Sequence, residues 1–440
     1  MWSYESVFYQ ISTLGFCGAP EENDGATVNR IQKVEEWIPH MKKLGINAIY
    51  FCPVFYSDKH GYDTRDYKRI DKRLGTNEDF TQVCNILHEN GIKIVLDGVF
   101  NHVGRGFWAF QDLLENREQS AYKDWFVNVK FYGDNCYKDG LSYEGWEGHN
   151  ELVKLNLRNE EVINHILESV EGWIREFDID GLRLDVAYSL DLDFIRRLRT
   201  FVDTKKQEFF LLGEMIHGDY NRLLEETHML HSVTNYQVYK GMWSSFNDMN
   251  MFEINYTLEQ HFCGMYTGKH LLNFLDNHDV NRIASTLKEA KHLPLVFAMM
   301  YGIPGIPCIY YGSEWGITGR KEEGGDAALR PNVAKPEWNE CSEFIAKLGN
   351  VHKEEKALCY GGYRKLLLTN HQIVFERAYE GERIVVAINA DESEWYANFE
   401  LGSEGAIDLL TANKVVFNRG MMLAPYSVYY WKMQQEMKEK

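Results

Sequence analysis

The feature that most constrains this chain is an alternation. Short apolar runs rich in β-branched and aromatic residues recur at Val7 to Ser12, Ala48 to Pro53, Ile92 to Val99, Gly181 to Val186, Phe209 to Met215, Ser232 to Tyr236, Leu271 to Leu275 and Ile306 to Tyr311, with helical stretches between them. That is the pattern of βα units around a parallel sheet, and eight of them predict an α/β chain closed into a (β/α)8 TIM barrel. Between the third and fourth runs lies a stretch from Gly104 to Leu152, rich in Gly, Asn, Trp and Tyr. It is far longer than a usual βα loop, so a small extra domain over one end of the barrel is expected. Beyond Lys356 the pattern changes to alternating runs such as KLLLTN, HQIVFERA, RIVVAIN and SVYYWK, which predict an antiparallel β domain. The expected layout is a barrel over 1–103 and 153–356, an insert over 104–152 and a C-terminal domain over 357–440.

Composition narrows the partners. With 47 basic and 65 acidic side chains the formal charge is −18, which repels phosphate backbones and anionic lipid, so neither nucleic acid nor a membrane surface is expected. A neutral substrate fits better. The apolar stretch from Leu293 to Gly312 is broken by Pro294, Gly302, Pro304, Gly305 and Pro307, and reads as a helix followed by a buried strand rather than a membrane span. Cys17, Cys52, Cys84, Cys136, Cys263, Cys308, Cys341 and Cys359 form no C-x-x-C pair and are expected as free buried thiols. The opening MWSYESVFYQIS has neither a basic n-region nor an apolar h-region, so no signal peptide is expected and the cytoplasm is the expected location.

In a barrel of this kind catalytic groups gather where strands end. The third strand, IKIVLDGVFNHVG, ends in Asp97, Asn101 and His102. The fourth, DIDGLRLDVAYS, carries Arg183 and Asp185 two residues apart, hence on one face. If Leu182 and Leu184 face the helices, these two face the barrel interior, where a carboxylate is tolerated beside a guanidinium. The fifth, FFLLGEMIHGD, is apolar up to Glu214, a setting that raises a carboxyl pKa and suits a proton donor. The seventh, LLNFLDNHDVNR, delivers Asp276, Asn277, His278 and Asp279. A single such carboxylate is more often a structural ion pair than a catalyst. Four polar groups on four strand ends of one barrel point instead to a site. Neighbouring strands lie about 4.8 Å apart, so Asp185 and Glu214 are expected at the short spacing of retaining glycosidases.

These segments resemble the α-amylase family, glycoside hydrolase family 13, in order and across nearly the whole chain. DGVFNH (Asp97 to His102), GLRLD (Gly181 to Asp185), GE (Gly213, Glu214) and NHD (Asn277 to Asp279) are similar to its four motifs, GIPCIYYGSE (Gly305 to Glu314) to a further one, and HGYDTRDYKRID (His60 to Asp71) to its segment after the second strand. The resemblance implies that Asp185 is the nucleophile, Glu214 the general acid and base, and Asp279 the carboxylate that stabilises the transition state. Tyr62 would stack on the sugar, His102 and His278 would donate to its hydroxyls, and Arg183 would orient and ionise Asp185. Asp97 would support Arg183, with Asn277 in a supporting place too. The insert becomes domain B and the tail a β-sandwich domain C. No cofactor is required; calcium is the one metal raised, because Asn101 matches a ligand position in calcium-dependent relatives.

Lys154, Leu155 and Asn156 resemble the MPKLN motif of neopullulanases, cyclomaltodextrinases and maltogenic amylases, although Leu152 and Val153 replace its Met-Pro. The N-terminal β domain of that group is expected to be missing, and its dimer contacts with it, so a monomer is expected. The implied activity is retaining hydrolysis of α-1,4, and in some contexts α-1,6, bonds in maltooligosaccharides, with glycosyl transfer as a side reaction. The alternatives are an exo-acting α-glucosidase or oligo-1,6-glucosidase, and a non-catalytic binding protein of the same fold.

Overall fold

Eight parallel strands surround the centre of a computed structural model that describes residues 1–225, 228–401 and 405–434. Residues 226–227, 402–404 and 435–440 of the expected domains lie outside the described residues. The strands are β1 (Phe8–Ile11), β2 (Ala48–Phe51), β3 (Lys93–Gly98), β4 (Gly181–Leu184), β5 (Phe210–Gly213), β6 (Ser232–Val233), β7 (Leu272–Phe274) and β8 (Ile306–Tyr310). Their order is β6-β5-β4-β3-β2-β1-β8-β7. A parallel bridge from Thr234 to Leu272, backed by the Asn235 N–H to the Leu272 carbonyl at 2.9 Å, joins β6 to β7 and closes the ring.

Alternation along each strand divides the side chains into two sets. Phe8, Tyr50, Val95, Phe210, Leu212, Phe274 and Cys308 fill the inside. Ile49, Ile94, Leu96, Leu182, Leu184 and Leu211 join the larger cluster under the helices. Leu182 and Leu184 therefore point outward, and Arg183 between them points in. Strands buried on both faces have no polar side to show, which is why they read as uniformly apolar runs. The helix before β4, Glu160–Phe177, illustrates the outer layer: Asn159 caps it by accepting from the Glu161 N–H, and it buries Val162, Ile163, Ile166, Val170, Trp173 and Phe177.

The sixth strand is shorter than the expected Ser232 to Tyr236. The Asn235 side chain accepts from the Val238 N–H and caps a helix, Tyr236–Asn247, so helix replaces strand from Tyr236 onward. After β2 stands a hairpin of Phe55–Ser57 and Thr64–Ile70, which the strand pattern of the sequence does not include. In the insert, His102–Gly104, Gly145–Trp146 and His149–Lys154 form a three-stranded antiparallel sheet beside the helix Trp108–Asn116. The C-terminal domain is a six-stranded antiparallel sheet with a two-stranded ribbon, Trp395–Asn398 and Gly420–Leu423, as its second layer. Val385, Ala387 and Trp431 face the ribbon, while Phe375, Val386 and Tyr430 face the barrel.

All eight cysteines are free, but not all are buried: Cys136 and Cys263 are exposed and Cys341 is half-buried. Cys136 lies in an irregular loop of the insert, and Cys263 in a kinked turn, His261–Met265, where its thiol donates to the Tyr363 carbonyl at 3.3 Å. No helix of the described residues is long and apolar enough to cross a membrane.

Candidate active site

The ends of β3, β4 and β5 meet on one guanidinium. Strand register sets Arg183 beside Asp97 on one side and Leu212 on the other. From there Arg183 Nη1 donates to both oxygens of Asp97 at 2.9 and 3.0 Å and to Asp185 Oδ1 at 2.8 Å. Its Nη2 lies 2.7 Å from Glu214 Oε1, a contact the sequence reading did not anticipate. All four side chains are buried.

Three buried carboxyl groups thus share one cation. Burial pushes Asp97, Asp185 and Glu214 upward from their usual pKa, while Arg183 pulls each of them down. Such a set titrates as a unit, and the first proton it takes relieves the others. Asp97 is the poorest host, because the Tyr50 and Tyr62 hydroxyls also donate to it, each at 3.0 Å. Asp185 and Glu214 are the better hosts: Asp185 is pushed well above its usual value, with Glu214 repelling it, while the charge of Asp279 raises Glu214 and the Val186 N–H lowers it, so a proton on Glu214 removes its repulsion of Asp185.

Two imidazoles flank these groups, and burial lowers both to about 3, so each is neutral. Asn101 Nδ2 donates to His102 Nδ1 at 3.1 Å, which leaves the proton on Nε2. That nitrogen is buried without a protein partner, 3.9 Å from Asp185 Oδ2. Gln10 Nε2 lies 3.0 Å from His278 Nδ1 and fixes the other ring the same way, so His278 Nε2–H faces the Tyr62 oxygen at 2.5 Å and Asp279 Oδ2 at 3.1 Å. Tyr62 stacks on His278 with ring centroids 5.5 Å apart. Its loop is pinned by Asp63, which accepts from the N–H groups of Lys59 and Gly61.

Asp279 has a separate support. Arg330 Nη2 lies 3.1 Å from Asp279 Oδ1, and Arg330 Nε donates to the His278 carbonyl at 3.1 Å. Arg330 follows a helix, Lys321–Leu329, and its flanks are tied to the barrel by Tyr310 and Tyr311, whose hydroxyls donate to the Leu329 and Pro331 carbonyls. Burial opposes the charge on Asp279, but the His278 N–H and the Arg330 cation beside it outweigh burial and hold the carboxyl below its usual value. Asn277 accepts from the Asp279 N–H at 2.8 Å and so shapes the turn that presents it. Asp276 does not join the site: it is bonded to Ser313 and to the Ile283 N–H.

Asp185, Glu214, Asp279, Tyr62, His102, His278 and Arg330 open onto a cavity of about 460 Å³, walled on the insert side by Trp146 and Leu152. Sequence reasoning missed Gln10, Tyr50, Trp146 and Arg330. Gln10 and Tyr50 were detectable as polar tips in otherwise apolar strands, whereas no strand-end pattern marks Arg330 or Trp146. Asn101 lines a different, larger cavity of about 720 Å³ with Lys154, Arg158, Arg196 and Arg222. Its Asp191 and Asp193 are paired with Arg158 and Arg196, and its Glu144 with Lys154. That cation-rich wall does not suit calcium, and among the described residues no three His, Cys, Asp or Glu side chains gather to hold a metal.

Buried carboxyl groups on one arginine, at the C-terminal end of a (β/α)8 barrel and beneath a cavity large enough for sugar rings, define the class as barrel glycosidases. The α-amylase catalytic-domain model matches residues 20–358. The chain therefore belongs to the α-amylase family and is a glycoside hydrolase. It is 31% identical to a cyclomaltodextrinase of Thermoanaerobacter pseudethanolicus, over 98% of this chain and 78% of that one. It is 29% identical to a maltogenic alpha-amylase of Bacillus acidopullulyticus, over 96% and 76% respectively. Among solved structures it is similar to the cyclic alpha-maltosyl-(1→6)-maltose hydrolase of Arthrobacter globiformis, with a TM-score of 0.83 and 26% identity over 98% of this chain and 99% of that one.

Proposed function

We propose that the protein is a retaining α-glucan hydrolase that cleaves α-1,4 bonds, and α-1,6 bonds where they adjoin them, in maltooligosaccharides and related short chains. The observation that carries this reading is the meeting of Asp185 and Glu214 on the two terminal nitrogens of one guanidinium, at 2.8 and 2.7 Å. That bridge favours the spacing of about 5 Å at which a second carboxylate attacks directly, rather than the wider gap that admits a water.

Glu214, neutral, gives its proton to the glycosidic oxygen as the bond to C1 breaks. Asp185, ionised beside Arg183, attacks C1 from the opposite face and forms a glycosyl ester. Glu214, now a carboxylate, takes a proton from water, whose oxygen attacks C1 and releases Asp185. A sugar hydroxyl in place of that water gives transfer. The orphaned His102 Nε2–H and the His278 ring suit sugar hydroxyls, Tyr62 a stacked ring, and ionised Asp279 the hydroxyls of an oxocarbenium-like sugar. The names of the relatives, a cyclomaltodextrinase and a cyclic alpha-maltosyl-(1→6)-maltose hydrolase, agree with short α-glucans as substrates. Free cysteines are compatible with the proposed cytoplasmic setting.

Chromatography of products from pullulan and from maltotetraose tests the assignment. Panose from pullulan is the expected result. Intact pullulan with cleaved maltotetraose restricts the cleft to linear chains, and stepwise release of glucose shifts the reading to an α-glucosidase. No cleavage of either by pure, folded protein overturns it.

A further inference from the structure

Val186 stands between the two central carboxyl groups in a conformation that valine rarely adopts. With φ 41° and ψ 46° it is left-handed, where a β-branched side chain is a true outlier. Among the described non-glycine residues with positive φ it is the one β-branched residue, and the one that is buried. The others are turn residues at or near the surface. Backbone strain of this kind persists only where the surroundings over-determine it, and it gathers at functional sites.

The strand register shows what the conformation changes. In a parallel ladder alternate residues of one strand bond to the same neighbour. Leu184 pairs with Gly213, and the Glu214 N–H donates to the Leu184 carbonyl at 2.9 Å. Continued one step further, the ladder would send the Val186 N–H to the Glu214 carbonyl. The left-handed turn sends it instead to the Glu214 side chain, where it donates to Oε2 at 2.9 Å. Glu214 is thereby held at both oxygens, by a backbone amide on one and by Arg183 Nη2 on the other. The valine side chain is buried and forms part of the cavity wall.

We propose that Val186 is a positioning residue: its strained backbone aims an amide at the Glu214 carboxyl group and fixes that group toward the scissile bond. The inference rests on the reading of Glu214 as acid and base. An amide donor favours the carboxylate and opposes the burial that favours the acid, so it also sets where Glu214 titrates.

Two substitutions separate positioning from mere packing. Gly occupies a left-handed position without penalty whereas Ala does not, so V186G should melt at or above V186A. If the strained backbone positions Glu214, the freer glycine loosens the amide, and V186G should show kcat about tenfold below V186A with KM little changed. A packing role alone would order stability and kcat alike; kcat of V186G equal to or above that of V186A overturns the proposal. Replacing residue 186 by its α-hydroxy acid analogue removes only the N–H. The alkaline limb of kcat against pH should then move up by about one unit, because the acid keeps its proton longer. An unmoved limb overturns the proposal as well. E214Q, assayed on maltotetraose, separates the two readings: an active E214Q removes the acid/base assignment and this inference with it. An inactive E214Q with Val186 variants that behave as the parent removes this inference alone.

Discussion

Replacing Arg183 by Met should convert the barrel interior into a pH-sensitive weak point. The side chains are of similar reach, so the change removes the charge and donors more than the volume. What it leaves behind is Asp97, Asp185 and Glu214, buried and without the cation that all three touch. They cannot remain ionised there, and will bind protons instead. With one proton on the set in the parent, as the proposed acid requires, the variant must take up about two more. An unfolded carboxyl titrates near pH 4, so each proton held at pH 7 costs about 4 kcal/mol, and each pH unit about 1.4 kcal/mol per proton.

The folded pKa values lie above the unfolded ones, so folding of the variant binds protons and its stability falls as pH rises above about 4. Two protons over two pH units amount to about 5.5 kcal/mol between pH 5.5 and 7.5, relative to the parent. This slope does not depend on the desolvation of Arg183 itself, which cancels between the two pH values. Thermal and urea unfolding of both proteins at the two pH values, with near-UV circular dichroism as the check on folding, measure it. Since whole-domain stabilities are 5–15 kcal/mol as a rule, the variant should be folded at pH 5.5 and marginal or unfolded at pH 7.5. Parallel pH dependences for variant and parent would refute the shared-counterion account.

Asp185→Asn should abolish turnover while leaving the fold intact, since it removes one charge from a set short of cations; retained activity in a pure preparation sinks the nucleophile assignment. Tyr62→Phe keeps the ring on His278 but takes a donor from Asp97 and an acceptor from His278, so it should cost about 1–3 kcal/mol in stability with a larger effect on kcat than on KM. Arg330→Ala removes a cation that holds Asp279 below its usual pKa, so the acid limb of kcat/KM should move to higher pH; an unmoved limb counts against Asp279 as a required carboxylate. Chelation should leave Tm and turnover unchanged, because Asn101 faces a cation-rich cavity; a lowered Tm that calcium restores would show a site these residues do not suggest.

The legible part of the molecule follows from one physical fact. A strand covered on both faces is apolar throughout, so a polar residue at its end is conspicuous, and Asp97, Arg183, Asp185, Glu214 and Asp279 all stood out that way. The hairpin Phe55–Ser57 and Thr64–Ile70 was not legible because TRDYKRI is only partly covered and has no clean alternation. Sequence spacing also shows which residues share a strand face, but not how far a long side chain reaches across to the next strand. The third carboxyl on Arg183 was lost for that reason. Arg330 was lost because it arrives from a helix end tied down by Tyr310 and Tyr311, contacts that exist only once β8 is in place.

The carboxyl groups rest on two supports of different origin, and that division fits their opposite electrostatic tasks. Asp97, Asp185 and Glu214 hang on Arg183 within the barrel ladder, where one cation among three acids keeps a proton in the set. Asp279 is held from outside the ladder by Arg330, itself shared with Asp326, and stays charged. A single arginine serving all four would leave more protons in the cluster, and either the proton donor or the charged stabiliser would be compromised. The Tyr62 hydroxyl bridges the two supports, through Asp97 on one side and His278 on the other. It therefore ties the distance between the two supports to the position of the ring on which a sugar would stack.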